Sequence, residues 1–329
     1  MENLEQNDTP QYLPQNAMDE TLPHVAQEKS PWKVLGTLAM LALGGIVVAN
    51  ILIMGIGSAL GYNLTKITDI LGGNATAADA TYLRLSLLTQ HIFLFFIPAA
   101  LTLWICYKKK AYTAAALDKH PLSISIGLGL LWLIVSAAFI GYTQELNKAI
   151  PLPKWMIASE ENVKGTLEAI FSLRGFTGAI VNTLLIGVMP AISEELLFRG
   201  VIQRQLGRIF HNDHAQVWIT AAFFSAIHFQ FQGFLPRMIL GALLGYMLVW
   251  SRSLWVPVIV HAFNNGMQVL GLYAMDIKPN EIEKMGESQN MHWTMAGASL
   301  MIMIIVGKYF NERHVREFAP KANDSGLSN

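Results

Sequence analysis

Charge is what this chain has least of. Asp, Glu, Lys and Arg make up 14% of its 329 residues, against 53% hydrophobic residues and a mean hydropathy of +0.37. A soluble domain carries roughly 25% charged residues, so the deficit points to a membrane protein. Net charge is zero, and the basic residues are scattered. That removes the cationic stripe a nucleic-acid partner needs. Cysteine is nearly absent too. Cys106 stands alone inside an apolar run, which excludes an internal disulfide and a thiolate metal site. It is expected to be a core or lipid-facing residue. No repeat of fixed period and no low-complexity tract occurs. Residues 1–30 lack the basic start, apolar centre and small-residue cleavage site of a signal peptide. They are expected to form a flexible cytoplasmic tail, and 311–329 a second one.

What is present is apolar runs. A bilayer core takes about 20 apolar residues per helix. About eight runs approach this, near 34–60, 83–107, 122–142, 176–198, 215–229, 236–250, 254–275 and 293–310. The expected fold is all-α, a polytopic bundle enclosing a polar cavity within one transmembrane domain, 31–310. The fifth and sixth runs are short for a span. Lys108, Lys109 and Lys110 dominate the positive-inside count. With Lys29, Lys33, Arg204, Arg208 and Arg252 they place both termini in the cytoplasm, at the plasma membrane in a bacterial cell. The segment 143–175 reads as an external loop with one amphipathic helix. Gly57 to Gly61 and Gly241 to Gly245 have the small-residue spacing of close helix packing.

Ionisable residues inside spans are rare and functional by default. The stretch SEELLFRG, 193–200, ends the fourth run with Glu194 and Glu195. His228 ends the fifth, and His261 and Asn265 lie in the seventh. His91, in the second, has no partner at helical spacing and reads as packing. Glu195 and Arg199 are four apart, so they share a helix face and pair. Glu194 is turned about 100° away, free for other work. Phe224 lies one turn before His228 and walls its imidazole. His261 and Asn265 project from one face. Such stripes around one cavity suit Glu194 as a general base acting on water. Asn265 and a histidine would donate to a developing oxyanion. The same Glu194, His228 and His261 would equally bind a divalent metal such as zinc.

These motifs, EELLFR (194–199), FSAIH (224–228) and HAFNN (261–265), resemble in order and spacing the type II CAAX prenyl endopeptidase family. These are the CPBP intramembrane proteases, which include bacteriocin-processing and self-immunity relatives. The match covers about 176–270. The resemblance implies a bundle of about eight spans with a conical cavity. It implies that Glu194 activates water with His228, that His261 and Asn265 hold the oxyanion, and that Glu195 and Arg199 brace the site. Glutamate- and metal-dependent chemistry both stay open. HExxH, a GxSx serine with a histidine partner, and paired intramembrane aspartates are absent, which argues against other intramembrane proteases. The expected function is an endopeptidase near the cytoplasmic face. Its substrate would be a prenylated or otherwise membrane-tethered peptide, with the lipid bilayer as the other partner and the oligomeric state open. The rivals are a non-catalytic immunity, scaffold or peptide-binding protein on the same fold, and a transporter.

Overall fold

The computed structural model describes residues 29–121, 123–277 and 293–318. Most of the two expected tails, 1–28 and 319–329, lies outside these residues, as do Lys278 and Lys284. Among the described residues there is no strand.

The first helix of the described residues is α1 (Pro31–Ala59), whose N1 proline has φ preset for a helix start. A short α2 (Leu64–Leu71) follows, capped by Asn63 accepting from the Lys66 N–H at 2.8 Å. Then come α3 (Ala77–Ala114), α4 (Ser123–Lys148), α5 (Lys154–Ile170) and α6 (Gly175–Phe210). The last four are α7 (Asp213–Ala226), α8 (Phe234–Ser251), α9 (Trp255–Ala274) and α10 (Trp293–Phe318). α6 packs against α3, α7 and α9, while α8 lies between α7 and α4, and α10 closes on α4.

Among the described residues, six helices are long and apolar enough to cross a membrane. They are α1, α3, α4, α6, the stretch Phe231–Ser251 that contains α8, and Trp293–His314 of α10. The expected count of about eight is not confirmed. α7 has 14 residues, about 21 Å against a hydrocarbon core of about 30 Å. α9 is long enough, but His261, Asn264, Asn265 and Gln268 dilute its apolar content. The polytopic all-helical bundle stands. α5 is the helix expected within 143–175.

A second correction matters more. The fourth span was expected to end at about 198, with the acidic pair at its cytoplasmic tip. α6 instead runs unbroken to Phe210, where His211 adopts φ 50 and stops it. Glu194 is thus mid-helix, about 24 Å along the axis from Phe210. Arg199 can sit inside the helix because both partners are buried and paired. The basic residues gather at that far end: Arg208 donates to Lys29 O at 2.6 Å and to Tyr107 Oη at 3.4 Å.

Two π-helical turns precede prolines. His91–Phe96 leads into Pro98, and Thr183–Val188 into Pro190. Proline has no N–H to give and its ring crowds the carbonyl four residues back, so the preceding turn widens. A third, Leu196–Gln203, carries Arg199. Between α6 and α9 the backbones touch. A Cβ on Gly187 would lie 3.1 Å from Gly266 Cα, so no larger residue fits without movement. Gly241 and Gly245 of α8 do face close neighbours, Ala221 and Phe224 for the first and Val217 and Gln203 for the second. Gly61 does not; it has φ +83 and open space, and its role is the turn after α1. Cys106 is buried in a cluster with Leu103, Phe198 and Leu254.

Candidate active site

The two acids of the motif have different surroundings. Glu195 is fully buried, and its Oε1 accepts from Arg199 Nη1 at 2.9 Å. The other terminal nitrogen of Arg199, Nη2, donates to Gly241 O on α8 at 2.8 Å. The same Glu195 oxygen meets His261 Nδ1 of α9 at 2.8 Å. Glu195 therefore ties α6, α8 and α9 into one point. The i, i+4 pairing with Arg199 follows from the sequence spacing. The Arg199 guanidinium stacks over Phe224, 4.7 Å from the ring centroid.

Glu194, about 100° round the helix, has no hydrogen-bond donor on its carboxylate among the described residues. Its Oε1 lies 4.0 Å from His228 Nε2 and 4.0 Å from His91 Nδ1. His228 Nδ1 donates to Phe224 O at 2.7 Å, which leaves Nε2 as the acceptor facing Glu194. The Phe224 ring stands 5.0 Å from the His228 ring and 6.0 Å from the His261 ring, edge-on to both. It walls the pair as its spacing suggested. Glu194 is 5% exposed, whereas a quarter of the His228 side chain is accessible. The open edge of the cluster is the His228 side.

That edge is framed by the loop between α7 and α8. α4 and α5 hold it. Asn147 donates to Phe231 O and accepts from Leu235 N, both at 2.7 Å. Glu160 accepts from Gln232 N at 3.0 Å, and Ser159 donates to Phe229 O at 3.0 Å.

Of the residues singled out in the sequence, Glu194, Glu195, Arg199, Phe224, His228 and His261 converge. His261 pairs with Glu195, on the bracing side rather than the Glu194 side. Asn265 lies one turn further along α9, half-buried, its Oδ1 accepting from Asn264 Nδ2 at 3.0 Å. No hydrogen bond joins it to Glu194 or to the histidines among the described residues. His91, read as a packing residue, packs against Phe95 and also faces Glu194. It is buried beside Glu194, with Nδ1 3.2 Å from Ser193 Oγ. The signal was present, an imidazole in an apolar run, but its partners lie on another helix. Arg237 on α8 brings a charge that reaches both Glu194 and His228.

A zinc ion on Glu194, His228 and His261 would need all three within about 2.0–2.2 Å of it. No three His, Cys, Asp or Glu side chains among the described residues converge as a cage. The residues as placed do not fit that ion.

Comparison with known proteins bears on the same segment. Residues 176–267 match the family model described as "Type II CAAX prenyl endopeptidase Rce1-like". The chain is also similar to the uncharacterized protein YpbD of Bacillus subtilis (strain 168), with 31% identity over 136 residues, 40% of this chain and 63% of the relative. The chain thus spans less than two thirds of that relative's length. No solved structure matches. The matched region runs from α6 to α9 and holds every group around Glu194 except His91. Over residues 176–267 this multi-pass membrane chain is similar to the Rce1-like type II CAAX prenyl endopeptidase family.

Proposed function

We propose that the chain is an intramembrane endopeptidase in which Glu194 activates water against a peptide carbonyl of a prenylated or otherwise membrane-tethered substrate. One observation carries the reading: Glu194 Oε1 stands 4.0 Å from two imidazole nitrogens and bonds to neither. That gap is too long for a direct hydrogen bond, whose usual range is about 2.7–3.2 Å. It is the right size for one oxygen bridging acid and imidazole. A buried carboxylate is expensive in an apolar bundle, and Glu195 shows how this fold satisfies one when it must.

The chemistry follows. Water between Glu194 and His228 gives one proton to the Glu194 carboxylate and hydrogen-bonds His228 Nε2 with the other. The freed oxygen bonds to the carbonyl carbon, and the C=O electron pair moves onto its oxygen. Collapse breaks the C–N bond, and the proton on Glu194 passes to the leaving amine. His261 and the Asn265 amide are the groups assigned to the oxyanion. Glu195 and Arg199 hold α6, α8 and α9 in register. The basic end with Lys108–Lys110 is assigned to the cytoplasm, which puts the cut inside the membrane, well short of that surface.

The test is purified protein with a membrane-tethered peptide and mass-spectrometric detection of both products. Wild type cleaves and Glu194→Gln does not. Cleavage by Glu194→Gln at the wild-type rate would sink the assignment. Restoration of the cellular phenotype by that variant would favour a binding protein on this fold.

A further inference from the structure

Two imidazoles flank Glu194, and they face it with opposite polarity. On α7, His228 Nδ1 gives its proton to Phe224 O at 2.7 Å, so a bare Nε2 lies 4.0 Å from the acid. On α3 the assignment reverses. Ser193 Oγ donates to Met189 O at 2.9 Å, with Pro190 O at 3.2 Å sharing the same proton. A hydroxyl has one proton to give, so Ser193 accepts from His91 Nδ1, 3.2 Å away. His91 therefore carries its proton on Nδ1, the nitrogen that lies 4.0 Å from Glu194 Oε1. Of the two imidazoles, His91 is the one that presents a donor to the acid.

That N–H hangs between acceptors on successive residues of α6. Its bond to Ser193 is at the long end of the usual range of about 2.7–3.2 Å, and it goes to a neutral oxygen. A bond to an ionised carboxylate is roughly twice as strong. The ring is also held in place. It is buried, with the Phe95 ring 5.5 Å away. It opens the π-helical turn His91–Phe96, a distortion frequent at functional sites. α1 seats directly on that turn, since a Cβ on Gly45 would run into Phe93 O. A leucine or phenylalanine would fill the same space at less cost than a buried imidazole in a span.

We propose that His91 is the positioning residue of the base. Its Nδ1–H bonds to the Glu194 carboxylate while that group is ionised, and returns to Ser193 Oγ once Glu194 has taken the proton of water. His91 keeps its own proton throughout, so no covalent bond changes at the ring. The contact fixes one side of the carboxylate and leaves the other to the water facing His228. The inference rests on the endopeptidase reading and adds to it a residue of α3, outside the matched segment 176–267.

The experiment uses the full chain in detergent and a peptide bearing an S-farnesyl cysteine. His91→Leu should lower kcat on the order of 10-fold, with KM and the melting temperature at their wild-type values. His91→Asn, whose amide Nδ2 stands as many bonds from the backbone as Nδ1, should restore most of that loss. Unchanged kcat in His91→Leu, a rise in KM alone, or a loss that His91→Asn does not repair overturns the positioning role. Histidine nitrogen NMR adds a readout that needs no cleavage and no folded His91→Leu protein. The His91 ring, identified by its absence from the His91→Asn spectrum, should be protonated at Nδ1, and its N–H signal should move in Glu194→Gln. Protonation at Nε2, or a signal indifferent to Glu194→Gln, overturns the inference. A moving Nδ1–H signal in a protein that cleaves nothing would keep the link from His91 to Glu194 and overturn the endopeptidase reading. Cleavage with an indifferent signal would do the reverse.

Discussion

Two carboxylates adjacent in sequence live in opposite conditions. Glu195 has a guanidinium and an imidazole within 2.9 Å and no exposure at all. Glu194 has two imidazoles at 4.0 Å and no bond. The backbone is the same helix, so the difference comes from what the neighbouring helices bring. α9 brings His261 to Glu195, whose other partner, Arg199, sits on the same helix and is held by Gly241 O of α8. α3 and the end of α7 supply near partners to Glu194. A satisfied buried charge joins helices; one held at a distance leaves room for a reactant.

The strongest way to break this contrast is to neutralise the unsatisfied acid. Glu194→Gln is expected to lower cleavage on the order of 10²–10⁴-fold while the unfolding temperature in detergent stays at the wild-type value. A stability loss as large as that of the Glu195 variant would make the two acids equivalent. Next in size is Glu195→Ala, which strands Arg199 and is expected to cost about 3–5 kcal/mol of stability. Thermal unfolding and the yield of solubilised protein measure it; an unchanged melting curve contradicts the bracing role. His91→Ala sharpens the comparison. It removes one of the two imidazoles beside Glu194 and should lower kcat on the order of 10-fold, with little change in KM or melting temperature. If KM alone rises, His91 contacts substrate instead of positioning the base. The smallest effect belongs to Gly241→Ala. Its Cβ would meet Ala221 Cα at 3.3 Å and the Phe224 ring at 3.2 Å. That overpacking should cost about 1 kcal/mol and be visible as a modest drop in melting temperature.

Much of this was legible in the residues. Pairing at i, i+4 is a property of one helix, so Glu195 with Arg199 and Phe224 with His228 could be read from spacing. The Gly241–Gly245 stripe was legible for the same reason. The end of α6 was misread because charge after an apolar run usually marks a membrane surface; here Glu195 and Arg199 are neutralised inside the bundle and the helix continues. His91 and Arg237 were seen but not placed. His91 meets Ser193 and Glu194 across two helices, and no local period reports such a contact. That α7 and α9 are not among the six long apolar helices of the described residues has a local cause, since α7 is short and α9 is diluted by polar side chains.

The residues alone determined that this chain is a set of apolar helices, because composition and the bilayer's thickness leave few alternatives. They also determined that one acid of SEELLFRG is paired and the other is turned away, because 3.6 residues per turn sets that angle. Only the tertiary structure decided which groups the free acid meets. It sent His261 to Glu195 and brought His91 to Glu194, because helix packing rather than helix period sets distances between segments.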